Sequence, residues 1–127
     1  MAVSVLSVGQ CSSDDYRIGA LLEKVAGAVL TSAYTVEEAK RELARGTFAL
    51  VLVNRIIDGD GSFGVAFIAE ARRTGSPLPF MLVSDYAEAQ AEAVAVGAVP
   101  GFGKSQLRDP GVAETLRKAL AADILGT

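Results

Sequence analysis

Five short runs of apolar, β-favouring residues alternate with five helical patterns, and this alternation constrains the fold of the 127-residue chain more than any other feature. The predicted strands are residues 2–8, 28–32, 48–53, 80–84 and 99–103. Because these runs are apolar at successive positions, both faces of each strand should be buried, as in a parallel sheet covered by helical crossovers. We therefore predict one domain, residues 1–127, with a three-layer α/β/α sandwich of flavodoxin-like type and a parallel sheet in the order 2-1-3-4-5.

Helix start and stop signals separate the predicted strands. Ser12 and Ser13 are N-cap candidates for a first helix that ends at Gly27, and a capping box at 35–38 opens a second helix. A third helix carries Phe67, Ile68 and Ala71 on one face, and a fourth spans about 87–96. The last helix begins at 109–110, with an apolar stripe of Val112, Leu116, Leu120 and Ile124.

Composition excludes several classes of function. The chain has no histidine, which removes the commonest general base, the commonest metal ligand and the Ser–His and Cys–His nucleophile pairs. A net charge of −3 argues against a nucleic-acid surface, which would need clustered Lys and Arg. Cys11 has no second cysteine to pair with, and no apolar segment is long enough to span a bilayer. We expect a soluble cytoplasmic protein whose partner is another protein, with no nucleic-acid or membrane partner.

Polar residues stand at the ends of three of the predicted strands. In parallel α/β sheets, chemistry collects at the carboxyl ends of the strands. The third strand ends at Asn54, the fourth ends at Ser84, and Lys104 follows Ala98 by six residues, just after the fifth. In this order and spacing the chain resembles, over essentially its whole length, the receiver domain of two-component response regulators. The resemblance places the phosphoacceptor aspartate of the family at Asn54, the hydroxyl residue that contacts the phosphoryl group at Ser84 and the invariant lysine at Lys104, and it implies a pocket formed by these three side chains.

The chain departs from the family at the residues that carry its chemistry. The resemblance places an acidic pair that holds magnesium at Gly9 and Gln10, and we expect Asp14 and Asp15 to lie too far along the first helix to replace it. Asparagine is also uncharged and far less nucleophilic than aspartate. We therefore expect no cofactor and no magnesium binding, because hard cations need several carboxylate or carbonyl oxygens.

Other acidic and switch positions are also altered. Asp58 and Asp85 are the residual acidic residues near the pocket, and Asp58 belongs to the turn 58–61. Gly101 occupies the position of the family's switch aromatic, and Ser105 replaces the proline after the lysine. We expect Lys104 to donate a hydrogen bond to the Asn54 side-chain oxygen.

These features predict a pseudo-receiver, a non-enzymatic domain that acts in phosphorelay signalling by protein–protein interaction rather than by phosphorylation. Its partner would be a sensor kinase or an output protein. The fourth helix is rich in alanine, and Ala87, Ala91 and Ala95, with Gly101, form the predicted partner surface. A homodimer through the fourth helix, fifth strand and fifth helix is a second use of that surface.

Two alternatives remain open from the sequence. In the first, the domain is phosphorylated on an unconventional acceptor such as Asp58. In the second, Cys11 and Arg17 form the Cys-x5-Arg pattern of low-molecular-weight tyrosine phosphatases, which follows the first strand of a similar sheet. Two carboxylates inside that loop argue against a stabilised thiolate.

Overall fold

A computed structural model describes residues 3–125 of the chain, with side chains described as far as Ala121. Within this range, five parallel strands form one sheet in the order β2-β1-β3-β4-β5, as predicted. The strands are β1 (Ser4–Val8), β2 (Val29–Ala33), β3 (Leu50–Asn54), β4 (Phe80–Val83) and β5 (Val99–Phe102). The helices are α1 (Ser12–Ala26), α2 (Val36–Arg45), α3 (Gly64–Arg73), α4 (Ala87–Ala95) and α5 (Pro110–Leu125), with a short 3-10 turn at Lys104–Gln106. The predicted strand residue Ala2 and the Ile124 side chain lie outside the described part.

The central strands are buried on both faces, which is why their sequences show no polar alternation. Val51 and Val53 of β3 belong to a core packed beneath α2, α3 and α4, while Leu50 and Leu52 belong to a second core beneath α1 and α5. All four side chains are fully buried. The two faces therefore each have a hydrophobic core, as a doubly covered parallel sheet requires.

Strand register places the predicted site residues at one edge. Val8 pairs with Val53, and Asn54 pairs with Val83, so β1, β3 and β4 end nearly level with one another. The residues that follow these strands, including Ser84, are thereby brought to the same carboxyl edge of the sheet.

Two helix starts test the capping predictions. The N-cap of α1 is Cys11 rather than Ser12 or Ser13, and its side chain makes no capping hydrogen bond. The prediction was wrong by one residue, because Ser12 and Ser13 already belong to the first turn of the helix. At α2 the prediction is confirmed, since Thr35 Oγ1 accepts from the Glu38 amide at 3.1 Å. The Glu38 carboxylate turns back to accept from the Tyr34 amide at 2.7 Å, which fixes the entry to the helix.

Candidate functional site

A surface cavity of about 430 Å³ lies at the carboxyl edge of the sheet, between the β3–α3 and β4–α4 loops. The structure brings together the three predicted site residues there, Asn54, Ser84 and Lys104. The full lining is Asn54, Arg55, Ile56, Val83, Ser84, Asp85, Tyr86 and Lys104. Sequence reasoning thus located the cavity but did not identify Arg55 and Tyr86, whose only signal was their position directly after a strand.

The Asn54 amide group is fully engaged with the backbone around it. Its Nδ2 donates to the Gly9 carbonyl at 3.0 Å and to the Ile56 carbonyl at 2.8 Å. Its Oδ1 accepts from the Arg55 amide at 3.0 Å. An aspartate could accept the last of these bonds but could not donate the first two. Asn54 therefore fixes the start of the β3–α3 loop against the end of β1.

Lys104 does not make its expected hydrogen bond to Asn54. Its Nζ lies 2.8 Å from Asp14 Oδ2, and Asp14 Oδ1 also accepts from Arg17 at 2.9 Å. Asp14 therefore reaches the lysine of the cavity, while the expectation that it lies too far along the first helix to replace the acidic pair of a magnesium site stays a prediction. Burial favours a raised pKa for Asp14, but the hydrogen bonds from Lys104 and Arg17 outweigh it, and the pKa falls below the usual 3.8.

The backbone at Gly9 excludes any side chain. Its φ is +78°, and a Cβ there would lie 2.7 Å from the Ile57 Cα atom. A carboxylate at this position would require the β3–α3 loop to move. The neighbouring Gln10 is fully buried, and neither of its amide atoms has a hydrogen-bond partner among the described residues. Groups of three or more His, Cys, Asp or Glu side chains suited to a metal ion do not occur within the described part of the chain.

Asp15 is a second buried polar group on α1, on the side that faces β1. Ser7 Oγ donates to its Oδ1 at 2.6 Å, whereas its Oδ2 has no partner among the described residues. Burial raises the pKa of this carboxyl, and the hydrogen bond from Ser7 only partly offsets the effect. Asp14 and Asp15, adjacent in sequence, thus have pKa values shifted in opposite directions.

The two residual acidic residues lie on opposite sides of Asn54. The Asp58 side chain is exposed, and its amide donates to the Gly9 carbonyl at 2.9 Å. Asp85 lines the cavity, but its Oδ1 accepts from the Ser105 amide at 3.3 Å and from Ser105 Oγ at 2.7 Å. The backbone of Gly103 passes so close to Asp85 that no Cβ fits there. Asp85 therefore holds the β5–α5 connection to the β4–α4 loop.

Gln90 fixes α4 to the sheet, a contact that the sequence did not indicate. Its Nε2 lies within hydrogen-bond distance of three carbonyl oxygens, which share its two hydrogens: those of Leu82 (2.9 Å), Ser84 (3.1 Å) and Phe102 (3.3 Å). Its Oε1 accepts from the Gly101 amide at 3.2 Å, and a Cβ on Gly101 would collide with the Leu82 carbonyl. The position expected for a switch aromatic is therefore occupied by a glycine in contact with a half-buried amide side chain.

The predicted partner surface on α4 is partly exposed. Ala87, Ala91 and Ala95 are exposed, and Gly101 is half-buried. Ala93, on the opposite face, is fully buried in the core. The alanine pattern thus combines core packing with one open face.

The Cys11–Arg17 segment lacks the arrangement of a phosphatase, because Cys11 is the N-cap of α1 and the residues after it are helical rather than a phosphate-binding loop. Arg17 is paired with Asp14, and Cys11 Sγ lies 3.5 Å from Ser13 Oγ. The arginine therefore faces a carboxylate instead of an open phosphate cradle. Asp109 acts as a cap in the α5 start, accepting from the Gly111 amide at 2.8 Å. Among the helices of residues 3–125, none is both long and apolar enough to cross a membrane.

Comparison with solved structures identifies the same fold in bacterial response regulators. A response regulator from Thermotoga maritima superimposes with a TM-score of 0.77 at 22% identity, over 95% of this chain and 99% of that one. The receiver domain of NtrX from Brucella abortus gives 0.70 at 19% identity, over 93% and 98%. A longer NtrX structure gives 0.78 at 20% identity and covers 99% of this chain, which spans only 28% of NtrX. No protein-family model and no curated protein matches the sequence. At these identities the comparison establishes the fold.

Proposed function

We propose that this chain, which has the fold of a response-regulator receiver domain, is a signalling domain that binds protein partners without being phosphorylated. The observation that carries the proposal is the bonding of Asn54. A phosphoacceptor must present a free carboxylate oxygen to the phosphoryl donor. Asn54 offers a neutral amide whose oxygen already accepts from Arg55 and whose nitrogen donates to two carbonyls.

The donor set around Asn54 does not fit magnesium. Mg²⁺ requires near-octahedral oxygen coordination and is usually held by at least one or two carboxylates. Gly9 offers no side chain, Gln10 an amide, and the facing oxygen of Asp85 is bonded to Ser105. Without a divalent cation, the charge that develops on a transferred phosphoryl group would be poorly neutralised. We accordingly propose that the domain needs no metal cofactor.

A role in binding rather than catalysis is consistent with the rest of the site. Lys104, the cation that would contact a phosphoryl oxygen, is neutralised by Asp14. The partner would be a protein of the signalling pathway, such as a sensor kinase or an output protein. Cytoplasmic location and a homodimer through α4, β5 and α5 stay predictions.

Incubation with acetyl phosphate and Mg²⁺, followed by intact-mass measurement under neutral conditions, tests the proposal. We expect no gain of a phosphoryl group, while a phosphorylatable receiver in the same tube gains one. A labile gain on this chain would contradict the proposal. If it occurred, the Asp58→Asn variant would show whether Asp58 is the acceptor.

A further inference from the structure

Four residues of two adjacent loops form an exposed surface at the mouth of the cavity, which we call the aromatic rim: Arg55, Ile56, Phe63 and Tyr86. The Arg55 guanidinium carbon lies 4.6 Å from the centre of the Tyr86 ring. Ile56 and Phe63 pair through an isolated antiparallel bridge. Phe63 is 66% exposed and Tyr86 is 61% exposed, unusually high values for large aromatic side chains. Exposed aromatics beside an arginine are typical of protein interfaces.

The backbone beneath the aromatic rim is held by a dense set of hydrogen bonds. Asn54 donates to the Ile56 carbonyl, and the Gly64 amide donates to the Arg55 carbonyl at 2.7 Å. The Ile57 amide donates to the Ser62 carbonyl at 2.8 Å, which closes the loop between them. A surface that is already ordered loses little conformational entropy when it binds a partner.

The Arg55 side chain has free hydrogen-bonding capacity. Among the described side chains, no carboxylate lies within ion-pair distance of its guanidinium, and no acceptor is hydrogen-bonded to it. Arg55 is half-buried, so its charge is less well hydrated than that of a fully exposed arginine. Stacking on Tyr86 orients the planar guanidinium group, whose N–H donors match the geometry of a carboxylate. This is the chemistry of an arginine that recognises an anion.

The charges that line the cavity favour the same ligand. Arg55 and Lys104 line it together with a single carboxylate, Asp85, which is hydrogen-bonded to Ser105. Lys104 is paired with Asp14, so Arg55 is the lining cation that has no ion-pair partner among the described side chains. Asp58 and Asp60 are exposed on the same β3–α3 loop as Arg55, and Glu88 is exposed in the first turn of α4, two residues after Tyr86. A long acidic tract would be repelled by them, whereas one carboxylate at the centre would not.

We propose that the aromatic rim is a preformed docking site for a partner protein that presents one Asp or Glu side chain between apolar residues. The carboxylate pairs with the Arg55 guanidinium, and its apolar neighbours pack on Phe63, Ile56 and Tyr86. This inference rests on the proposed function, since it names the surface through which an unphosphorylated domain would bind. It places that surface on the carboxyl edge of the sheet rather than on α4.

Titration of the ¹⁵N-labelled protein with short blocked peptides tests this surface. The probe is a hexapeptide with one glutamate between leucines, and the matched peptides carry glutamine or a run of four glutamates instead. We expect the glutamate peptide to shift the signals of Arg55 Nε–H, Phe63 and Tyr86, and to bind at least fivefold more tightly than either matched peptide. Arg55→Ala should weaken binding at least fivefold, and Arg55→Lys should restore only part of it. Arg73→Ala, an exposed arginine at the other end of α3, should leave binding unchanged.

Three results would overturn the docking site. These are equal binding of the glutamate and glutamine peptides, unchanged binding by a folded Arg55→Ala variant, or shifts confined to α4 residues such as Ala91. Tyr86→Ala provides a second variant that leaves the charge in place and should weaken binding severalfold. Phosphorylation of the wild-type protein would overturn the proposed function without changing any of these peptide results, so the two failures can be distinguished.

Discussion

Lys104 and Asp14 form an ion pair, with Nζ 2.8 Å from Oδ2, that links the β5–α5 connection to the first turn of α1. The Asp14 side chain is 14% exposed and the Lys104 side chain 28% exposed, so solvent screens this pair less than a typical surface pair. Asp14 thereby supplies the negative charge that an acceptor carboxylate would supply in a phosphorylatable pocket. Lys104 therefore lines the cavity but pairs with Asp14 instead of with the residue at position 54.

We expect Asp14→Asn to lower the free energy of unfolding at pH 7 by about 1 kcal/mol. The pKa of Asp14 is lower in the folded state than its usual 3.8, so the carboxylate stabilises the fold above that pH and loses its effect as the pH falls through the folded pKa. Urea denaturation over a series of pH values should show the full deficit at pH 7 and a deficit that shrinks as the pH falls below 3.8 through the folded pKa. Lys104→Met is the matched control, and the double variant should lose less than the two single losses combined. Strict additivity would contradict the pairing.

Asp15→Asn should have the opposite effect. Because burial raises the pKa of Asp15 in the folded state, its stabilising contribution is complete below pH 3.8 and is lost as the pH rises through the folded pKa. At pH 7 the wild type therefore carries the cost of a buried negative charge, which asparagine does not. Urea denaturation should show the variant gaining stability relative to wild type between pH 3.8 and pH 7. If the difference in the free energy of unfolding between the variant and the wild type does not change with pH, Asp15 is ionised in the folded state without cost.

Asn54→Asp should destabilise the protein and still fail to be phosphorylated. The substitution removes two donated hydrogen bonds and places a charge beside the carbonyls of Gly9 and Ile56. We expect a loss of about 1 to 3 kcal/mol at pH 7 by thermal or urea denaturation. Asn54→Ala loses the same bonds without adding charge, so only the aspartate variant should recover stability on acidification. An aspartate variant as stable as wild type, or one that is phosphorylated by acetyl phosphate, would contradict the assigned role of the amide.

Gln90→Ala should loosen α4 from the sheet. The variant removes the hydrogen bonds to the Leu82 and Ser84 carbonyls and from the Gly101 amide, while the Phe102 carbonyl keeps its bond from the Ser84 amide, and the loss should cost about 1 to 3 kcal/mol. Hydrogen exchange should become faster at the Gly101 amide and along α4. Glu92→Ala, an exposed substitution on the same helix, is the control and should change neither quantity. Unchanged exchange at Gly101 in the Gln90 variant would show that the amide does not hold the helix.

The strand order and the position of the cavity could be predicted because they follow from local patterns. Apolar runs mark buried parallel strands, and such sheets gather the residues that follow their strands at one edge, where the structure brings together Asn54, Ser84 and Lys104. Their role as a degenerate phosphoacceptor pocket stays a prediction. The partners of these residues depend on distant segments. Whether Lys104 pairs with Asn54 or with Asp14 depends on the direction of α1, which local sequence patterns do not give.

Gln90 was missed for a related reason. In the sequence it is one of several polar residues on an alanine-rich helix, and that pattern is typical of an exposed position. Its contact with the sheet depends on Gly101, eleven residues away, where a Cβ would collide with the Leu82 carbonyl and crowd the Gln90 side chain. The sequence shows that position 101 lacks an aromatic side chain, but it does not show that Gln90 lies against it.

The four hydrogen bonds of Gln90 also bear on how such a domain could convey a signal. They tie α4 to β4 and β5, and Gly101 carries no side chain that could exchange between rotamers at this contact. Movement of α4 relative to the sheet would therefore have to break these hydrogen bonds together.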